Sequence, residues 1–280
     1  MARFLSTRRT FLAAAASLPL AAKKSKGKIP IGLELYSVRD ELAKNEEGTL
    51  RDVAKIGYEC VEFYAPYYKW DTEHAKSIRK LLDNLNMRCY STHNDRANFD
   101  KDKIGHAIEL NQILGTKYIV MASAGDIQDL DGWKRVAQTL QQATEELAPH
   151  NLQPGYHNHE LEFTPIHGVK PIELIAKNTS KAVMLQLDVG TCIKAGSDPV
   201  AWIEKNPGRI RSIHCKDWSS SGGYEVLFGE GAAPWKKIFH AAENGGGAEY
   251  YLIEQEGSRY PALGTVKKCL ATFKKINAGA

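Results

Sequence analysis

The sequence predicts a single α/β domain, a (β/α)8 barrel, behind a short N-terminal segment. Short apolar or alternating runs recur eight times, and each is followed by a stretch with helical periodicity. The repeat spacing is about thirty residues, as in a barrel of this kind. No Ser/Pro-rich linker or change in composition divides the chain after its N-terminus. Strand and helix alternating at this spacing indicate one parallel barrel.

The predicted elements share this rhythm. The strands are predicted at residues 29–36, 60–63, 87–93, 118–122, 153–158, 183–188, 210–216 and 250–255. The helices are predicted at residues 49–56, 72–85, 103–114, 130–147, 170–177, 199–205, 234–243 and 262–276.

Residues at the predicted helix ends support these boundaries. Gly57, Gly115 and Gly208 fall where helices give way to strands, a position that favours glycine. Asp198 precedes Pro199, which predicts an N-cap with proline in the first turn. A doubly wound open sheet is the competing architecture, but no Gly-rich phosphate turn follows the first strand.

The N-terminus has the pattern of an export signal. Arg8 and Arg9 precede Phe11-Leu12 and a short Ala/Leu run that Pro19 interrupts. We therefore predict a twin-arginine-type signal segment at 1–26, a barrel domain at 27–280, and a periplasmic or secreted protein. The apolar run is too short for a stable membrane span.

Composition and charge exclude several protein classes. The chain is 43% hydrophobic and 25% charged, so it is neither disordered nor fibrous. The formal net charge is +4, but basic residues are concentrated in the N-terminal segment, which leaves the rest close to neutral. We expect no nucleic-acid partner. The five cysteines are widely spaced and form no Cys-x-x-Cys pair; Cys60, Cys89 and Cys215 lie in apolar runs and are predicted to be buried free thiols.

Polar residues close most of the predicted strands, where a barrel of this type places its active site. In the three late strands, Asp188, His214 and Glu254 each follow apolar residues. A buried carboxylate without a partner is costly, and a divalent cation would satisfy several such groups at once. With His157 these residues form a predicted metal site of two nitrogens and two carboxylates. Mn, Zn, Co or Fe suit that set best, and Mg is possible.

Several motifs in order along the chain resemble those of the xylose-isomerase-like sugar phosphate isomerase/epimerase superfamily. They are Gly-Leu-Glu-Leu-Tyr-Ser-Val-Arg-Asp at 32–40, Gly57-Tyr58-x-x-Val61-Glu62-Phe63, Tyr-His-Asn-His-x-x-Glu-Phe at 156–163, Leu187-Asp188-Val189-Gly190, His214-x-Lys216-Asp217, Gly229-Glu230-Gly231 and Ile253-Glu254-Gln255-Glu256.

The resemblance implies one divalent ion held by strands five to eight of a TIM barrel that acts on a sugar, keto-sugar or polyol. Asp188, His214 and Glu254 match the usual ligands. Epimerases of the superfamily usually have glutamate at the strand-five ligand position, which corresponds here to His157. Histidine there keeps an acid/base group but changes its charge and reach.

These residues are assigned expected roles. Glu254 or His157 is expected to remove a substrate proton, with Lys216 as a second electrophile that stabilises the enediolate. Substrate contacts are expected from a further set: Glu62, His93, His159, Glu162 and Trp218.

The expected activity is isomerisation or epimerisation of an unphosphorylated sugar or keto-sugar, with homo-oligomerisation possible. The alternative is a lyase or dehydratase that eliminates a β-substituent from a 3-keto-glycoside or inosose. A non-catalytic periplasmic sugar-binding protein is more remote, because it would not need four metal-capable strand ends. A multi-zinc endonuclease would need more ligands and a basic groove.

Overall fold

Eight parallel strands close into a ring in the computed structural model, which describes residues 28–277. The predicted barrel is confirmed. Each strand pairs with the next, and the first pairs with the last through Gly32 and Leu252. The strands are β1 (Ile31–Glu34), β2 (Cys60–Phe63), β3 (Arg88–Asp95), β4 (Tyr118–Ser123), β5 (Gln153–His157), β6 (Met184–Asp188), β7 (Ser212–Cys215) and β8 (Tyr250–Ile253). The predicted signal at 1–26 lies outside the described residues and stays a prediction.

The helices of the described chain follow the strands. They are α1 (Arg39–Lys44), α2 (Glu46–Ile56), α3 (Thr72–Asn84), α4 (Ile104–Leu114), α5 (Leu130–Leu147), α6 (Glu160–Phe163), α7 (Pro171–Lys177), α8 (Val189–Lys194), α9 (Pro199–Lys205), α10 (Trp235–Ala241) and α11 (Ala262–Asn277). The short helices α1, α6 and α8 were not predicted, because each is too brief to show a helical period. In residues 28–277 no helix has the length and apolar character needed to cross a bilayer.

Capping residues explain where the helices begin and end. The carboxylate of Asp198 accepts hydrogen bonds from the first turn of α9, which confirms the predicted cap. Gly57 and Gly115 end α2 and α4 in the left-handed conformation, also as predicted. Gly208 has a φ of 73°, but the cap of α9 is Asn206, so Gly208 belongs to the following turn.

Strand β1 is shorter than the predicted 29–36. Glu34 Oε2 accepts a hydrogen bond of 2.9 Å from the backbone N–H of Tyr36 and so caps a 3₁₀ helix at Leu35–Val38. This turn directs the chain away from the sheet directly after Glu34. Glu34 is therefore the residue that closes the first strand, and Tyr36 lies on the rim beyond it.

The interior of the ring has an apolar floor. Six buried residues pack together there: Cys60, Tyr118, Val120, Met184, Tyr250 and Leu252. Gly32 lies against them, and a Cβ at that position would meet the carbonyl oxygen of Cys60 at 2.6 Å. Only glycine fits at this point. All five cysteines are free and buried, including the three for which the sequence predicted it.

Candidate metal centre

The structure brings the four predicted metal ligands together above the floor. His157, Asp188, His214 and Glu254 come from β5, β6, β7 and the residue after β8. One ligand atom of each lies within 4.8 Å of the others, and all four side chains are buried. Consecutive parallel strands end at the same edge of the ring, which explains how residues far apart in sequence meet.

His157 presents a nitrogen suited to a cation. Its Nδ1 lies 3.1 Å from Gln186 Oε1, an acceptor, so we assign the ring proton to Nδ1. Nε2 is then unprotonated and faces Asp188 Oδ2 at 4.0 Å. Burial, followed by the neighbouring His214 and His93, holds the pKa of His157 well below its usual value. The imidazole is therefore neutral at neutral pH, the form that binds metals.

His214 is oriented by Glu62 from below. Its Nε2 lies 2.8 Å from Glu62 Oε2, while Nδ1 lies 2.5 Å from Glu254 Oε2 among the other ligands. A carboxylate that accepts the second imidazole N–H is the usual support of a metal-binding histidine. Burial raises the pKa of Glu62, but His93 and His214 lower it more strongly, to about 2. Burial likewise lowers the pKa of His214, but Glu62 and Glu254 raise it to about 10.

Asp188 supplies the observation that most directly fits a cation. Its Oδ1 accepts a hydrogen bond of 2.9 Å from the N–H of Thr191, but its Oδ2 is buried without a hydrogen-bond partner. The backbone N–H of Asp188 donates a hydrogen bond of 3.1 Å to Asn158 Oδ1, which fixes the position of Asp188. A fixed carboxylate oxygen that has no hydrogen bond and faces a bare imidazole nitrogen matches a divalent ion, and the mixed donor set suits Zn, Mn, Co or Fe.

Lys216 lies against the carboxylates of this group. Its Nζ is 3.2 Å from Glu254 Oε1 and 3.7 Å from Asp188 Oδ2, and it also contacts Glu256. Burial lowers the pKa of Lys216, but these carboxylates outweigh it and hold the pKa above its usual value. The lysine is therefore a permanent positive charge beside the ligands.

A cavity of about 330 Å³ opens above the candidate metal centre. Its lining consists of Glu34, Tyr36, Tyr64, Ala65, His93, Ala122, Ser123, His157, His159, Glu254 and Glu256. His157 and Glu254 thus connect the buried ligand group to space that a substrate can enter. Two of the five predicted substrate contacts, His93 and His159, line the cavity.

The other three predicted substrate contacts lie elsewhere. Glu62 is fully buried and bonded through both oxygens, to His214 and to Gln186 and Ser91. Glu162 accepts from the Tyr156 hydroxyl at 2.6 Å and from the His159 N–H at 2.8 Å, and so caps α6. Trp218 is half-buried in the loop after β7 and is not part of the lining. A strand-end pattern does not reveal which carboxylates are already bonded within the protein.

Gln186 is a site residue that the sequence analysis did not identify. Its Oε1 lies 2.7 Å from His93 Nε2, besides the contact with His157. Its amide group donates to Glu62 Oε1 at 3.0 Å. Gln186 thus links the imidazoles to the buried carboxylate. Strand alternation could have identified it, because it lies two residues before Asp188 and faces the same side.

The closed parallel ring and the buried His/Asp/Glu group at its strand ends define a TIM barrel with a candidate metal centre. The chain belongs to the xylose isomerase-like TIM barrel family, whose sequence pattern matches residues 50–276. The predicted resemblance is confirmed. No curated protein matches the sequence.

Solved structures show the same barrel. A sugar phosphate isomerase/epimerase from Parabacteroides distasonis is 26% identical, with a TM-score of 0.75 over 89% of this chain and 95% of that one. The IolI protein with a bound zinc atom is 14% identical, with a TM-score of 0.68 over 89% and 98%. D-psicose 3-epimerase in the presence of D-fructose is 14% identical, with a TM-score of 0.66 over 89% and 99%. At 14% identity the likeness shows the fold alone.

Proposed function

We propose that this protein is a divalent-metal-dependent isomerase or epimerase of an unphosphorylated sugar or keto-sugar. The observation that carries the proposal is the group His157, Asp188, His214 and Glu254 at the inner end of an open cavity. Two proteins of the same fold support it by their names. The P. distasonis protein is named a sugar phosphate isomerase/epimerase, and the name D-psicose 3-epimerase denotes an enzyme that acts on a ketose.

The four residues of that group would hold one cation. A second triad, His93, His157 and His214, shares two of its members with the first group, so both mark the same place. When bound, a divalent ion supplies polarisation of the substrate carbonyl and stabilisation of the negative charge that develops on its oxygen. The IolI structure contains zinc.

Proton transfer falls to the two ligands that reach the cavity, His157 and Glu254. Burial raises the pKa of Glu254, but Lys216 and His214 lower it more, so the group is a carboxylate at neutral pH. His157 is a neutral imidazole. Glu254 can take a proton from the carbon next to a carbonyl, which gives an enediolate. His157 can do so only while its Nε2 is free of the cation, because its Nδ1 already carries a proton. Lys216 keeps Glu254 in place and supplies positive charge beside it.

The lining of the cavity favours an uncharged substrate. Glu34, Glu254 and Glu256 contribute carboxyl groups, and the lining residues of this described cavity include neither lysine nor arginine. Phosphate sites in proteins usually offer arginine, lysine or clustered backbone N–H groups. A neutral sugar or keto-sugar therefore fits better than a sugar phosphate.

A lyase acting on a 3-keto-glycoside or inosose is the second candidate. Tyr36 and Tyr64 pack edge to face at the rim, with ring centroids 5.4 Å apart, and Tyr36 is 39% exposed. Aromatic rings at the mouth of a sugar site offer a surface for a second ring or an aglycone. The same proton abstraction then leads to expulsion of the β-substituent.

Incubation in D2O with a panel of free ketoses and 3-keto-glycosides, followed by NMR, tests both candidates. With metal-loaded protein, the substrate should incorporate deuterium at the carbon next to its carbonyl. Incorporation without cleavage identifies an isomerase or epimerase, and release of the aglycone identifies a lyase. Chelator-treated protein is the control. Sugar binding that is equal with and without metal, with no exchange on any compound, would instead establish a binding protein.

We also propose that the protein acts outside the cytoplasm, on the basis of residues 1–26. Replacement of both Arg8 and Arg9 by lysine should retain the protein in the cytoplasm of a host with a twin-arginine system. Export of the variant at the wild-type level would contradict this assignment.

A further inference from the structure

Glu34, at the end of β1, has a buried carboxyl oxygen that the fold does not use. The side chain is 1% exposed, and its Oε2 accepts from the N–H of Tyr36. Its Oε1 has no hydrogen-bond partner among the described residues. An unsatisfied buried polar atom destabilises the folded state, and such atoms are rare in native proteins. The unpaired oxygen therefore needs an explanation outside the fold.

The position of Glu34 points to the substrate rather than to the metal. Glu34 lines the same cavity as His157 and Glu254, and β1 lies between β8 and β2 in the ring. It is absent from both groups of residues whose ligand atoms come together for a cation. Glu34 and Asp188 both end barrel strands and both have a buried carboxyl oxygen without a hydrogen bond, but only Asp188 belongs to the metal group.

The chemistry of Glu34 fits a hydroxyl group. Burial, and next the charge of Glu254, raise the pKa of Glu34 well above its usual value. A hydroxyl can donate to the carboxylate and accept from the carboxylic acid, so it pairs with either form. A phosphate or a second carboxylate would be repelled by the neighbouring acidic groups.

We propose that Glu34 binds a hydroxyl group of a neutral polyol substrate through Oε1 and thereby selects substrates that present a hydroxyl at that position. The inference rests on the proposed function, because it assumes a sugar or keto-sugar in the cavity. A substrate without this hydroxyl leaves the buried oxygen unpaired, and sites of this kind discriminate strongly against such analogues.

The competing explanation is purely structural, since Oε2 caps the 3₁₀ helix at Leu35–Val38. Two substitutions separate the explanations. Glu34→Gln keeps an acceptor for the Tyr36 N–H, whereas Glu34→Leu removes both the cap and the unpaired oxygen. Glu145→Gln, on the exposed face of α5, is the matched control.

The test uses metal-loaded full-length protein and three hexitols, mannitol, sorbitol and galactitol, as unreactive probes in calorimetry. Wild type should bind at least one hexitol, and Glu34→Leu should bind it at least about tenfold more weakly, the loss of one buried hydrogen bond. Both variants should keep one metal ion per chain, and Glu34→Gln, which retains the cap, should keep the wild-type midpoint of thermal unfolding. Glu145→Gln should match wild type throughout.

Three outcomes would overturn the role of Glu34. The first is that wild type binds none of the hexitols. The second is that Glu34→Leu binds the hexitol as tightly as wild type does. The third is that Glu34→Gln both unfolds at a lower midpoint and loses its metal ion. The proposed function is tested separately by deuterium exchange. Absence of exchange on every ketose, together with weakened hexitol binding in Glu34→Leu, would refute the isomerase proposal and support the polyol contact.

Discussion

The lower and upper halves of the barrel interior contrast in chemistry although the same strands form both. The floor, with Val120, Met184 and Leu252, is apolar and closely packed, and its atoms need no partner outside the protein. The upper half contains the ionisable candidate ligands and two buried oxygens without hydrogen-bond partners, on Glu34 and Asp188. The floor therefore stabilises the ring, whereas the upper half depends on the ring to hold groups that are unfavourable by themselves. Substitutions in the two halves should have separable effects.

The largest effect is expected from His214→Ala in the upper half. The variant loses one of four ligands and leaves Glu62 without the imidazole that it orients. Metal affinity should fall at least about a thousandfold, because the binding energy of the cation is shared among only four side chains. Elemental analysis after dialysis measures the metal content. Glu145→Ala should bind metal as wild type does, and metal retention in His214→Ala would contradict the assigned centre.

Leu252→Ala tests the floor. Removal of a fully buried leucine should lower the free energy of unfolding by about 3 kcal/mol, from lost apolar burial and the cavity left behind. Urea denaturation measures this change. The metal content should remain that of wild type. Leu161→Ala, at a residue that is 42% exposed, should change stability by less than about 0.5 kcal/mol. If Leu252→Ala lost its metal under conditions in which it is fully folded, the floor and the candidate metal centre would not have separable effects.

Glu62→Gln tests the boundary between floor and ligands. Glutamine keeps the shape of the side chain but removes the charge that supports His214, so metal affinity should fall about 10- to 100-fold. Competition with a chromophoric chelator gives the dissociation constant. Glu145→Gln serves as the control. If Glu62 contacted substrate instead, metal affinity would stay constant and KM would rise.

The smallest effect is a pH dependence of metal binding. In the metal-free protein the pKa of His214 is about 10, so the ring holds a proton at neutral pH that the cation must displace. Raising the pH from 7 to 8 lowers the concentration of the competing proton tenfold and should strengthen binding by about tenfold, and the dependence should level off only near the pKa. Glu62→Gln should reach the plateau at a lower pH. Affinity independent of pH in wild type would mean that His214 is already neutral.

Sequence periodicity predicted the barrel because each strand and its helix are local patterns. That the candidate ligands would lie close together could also be predicted, since Asp188 and His214 close apolar strands whose ends meet in any parallel barrel. The hydrogen-bond partners of each carboxylate could not be predicted. Glu62 and Glu162 end or follow strands just as Glu254 does, but the residues that bond to them, such as Gln186 and Tyr156, are identified only by the folded geometry. The unpaired oxygen of Glu34 was hidden for the same reason.

The pairing of the first strand with the last has a consequence for the order of folding. The four candidate metal ligands lie at the ends of four consecutive strands, between residues 157 and 254, and need only local strand additions to assemble. Glu34 joins them only when β1 pairs with β8, for example Ile31 with Tyr251, which closes a loop of nearly the whole chain. Contacts so distant in sequence form late, because the chain must lose loop entropy before they contribute. An open ring can therefore assemble the candidate metal centre before Glu34 reaches its place beside it.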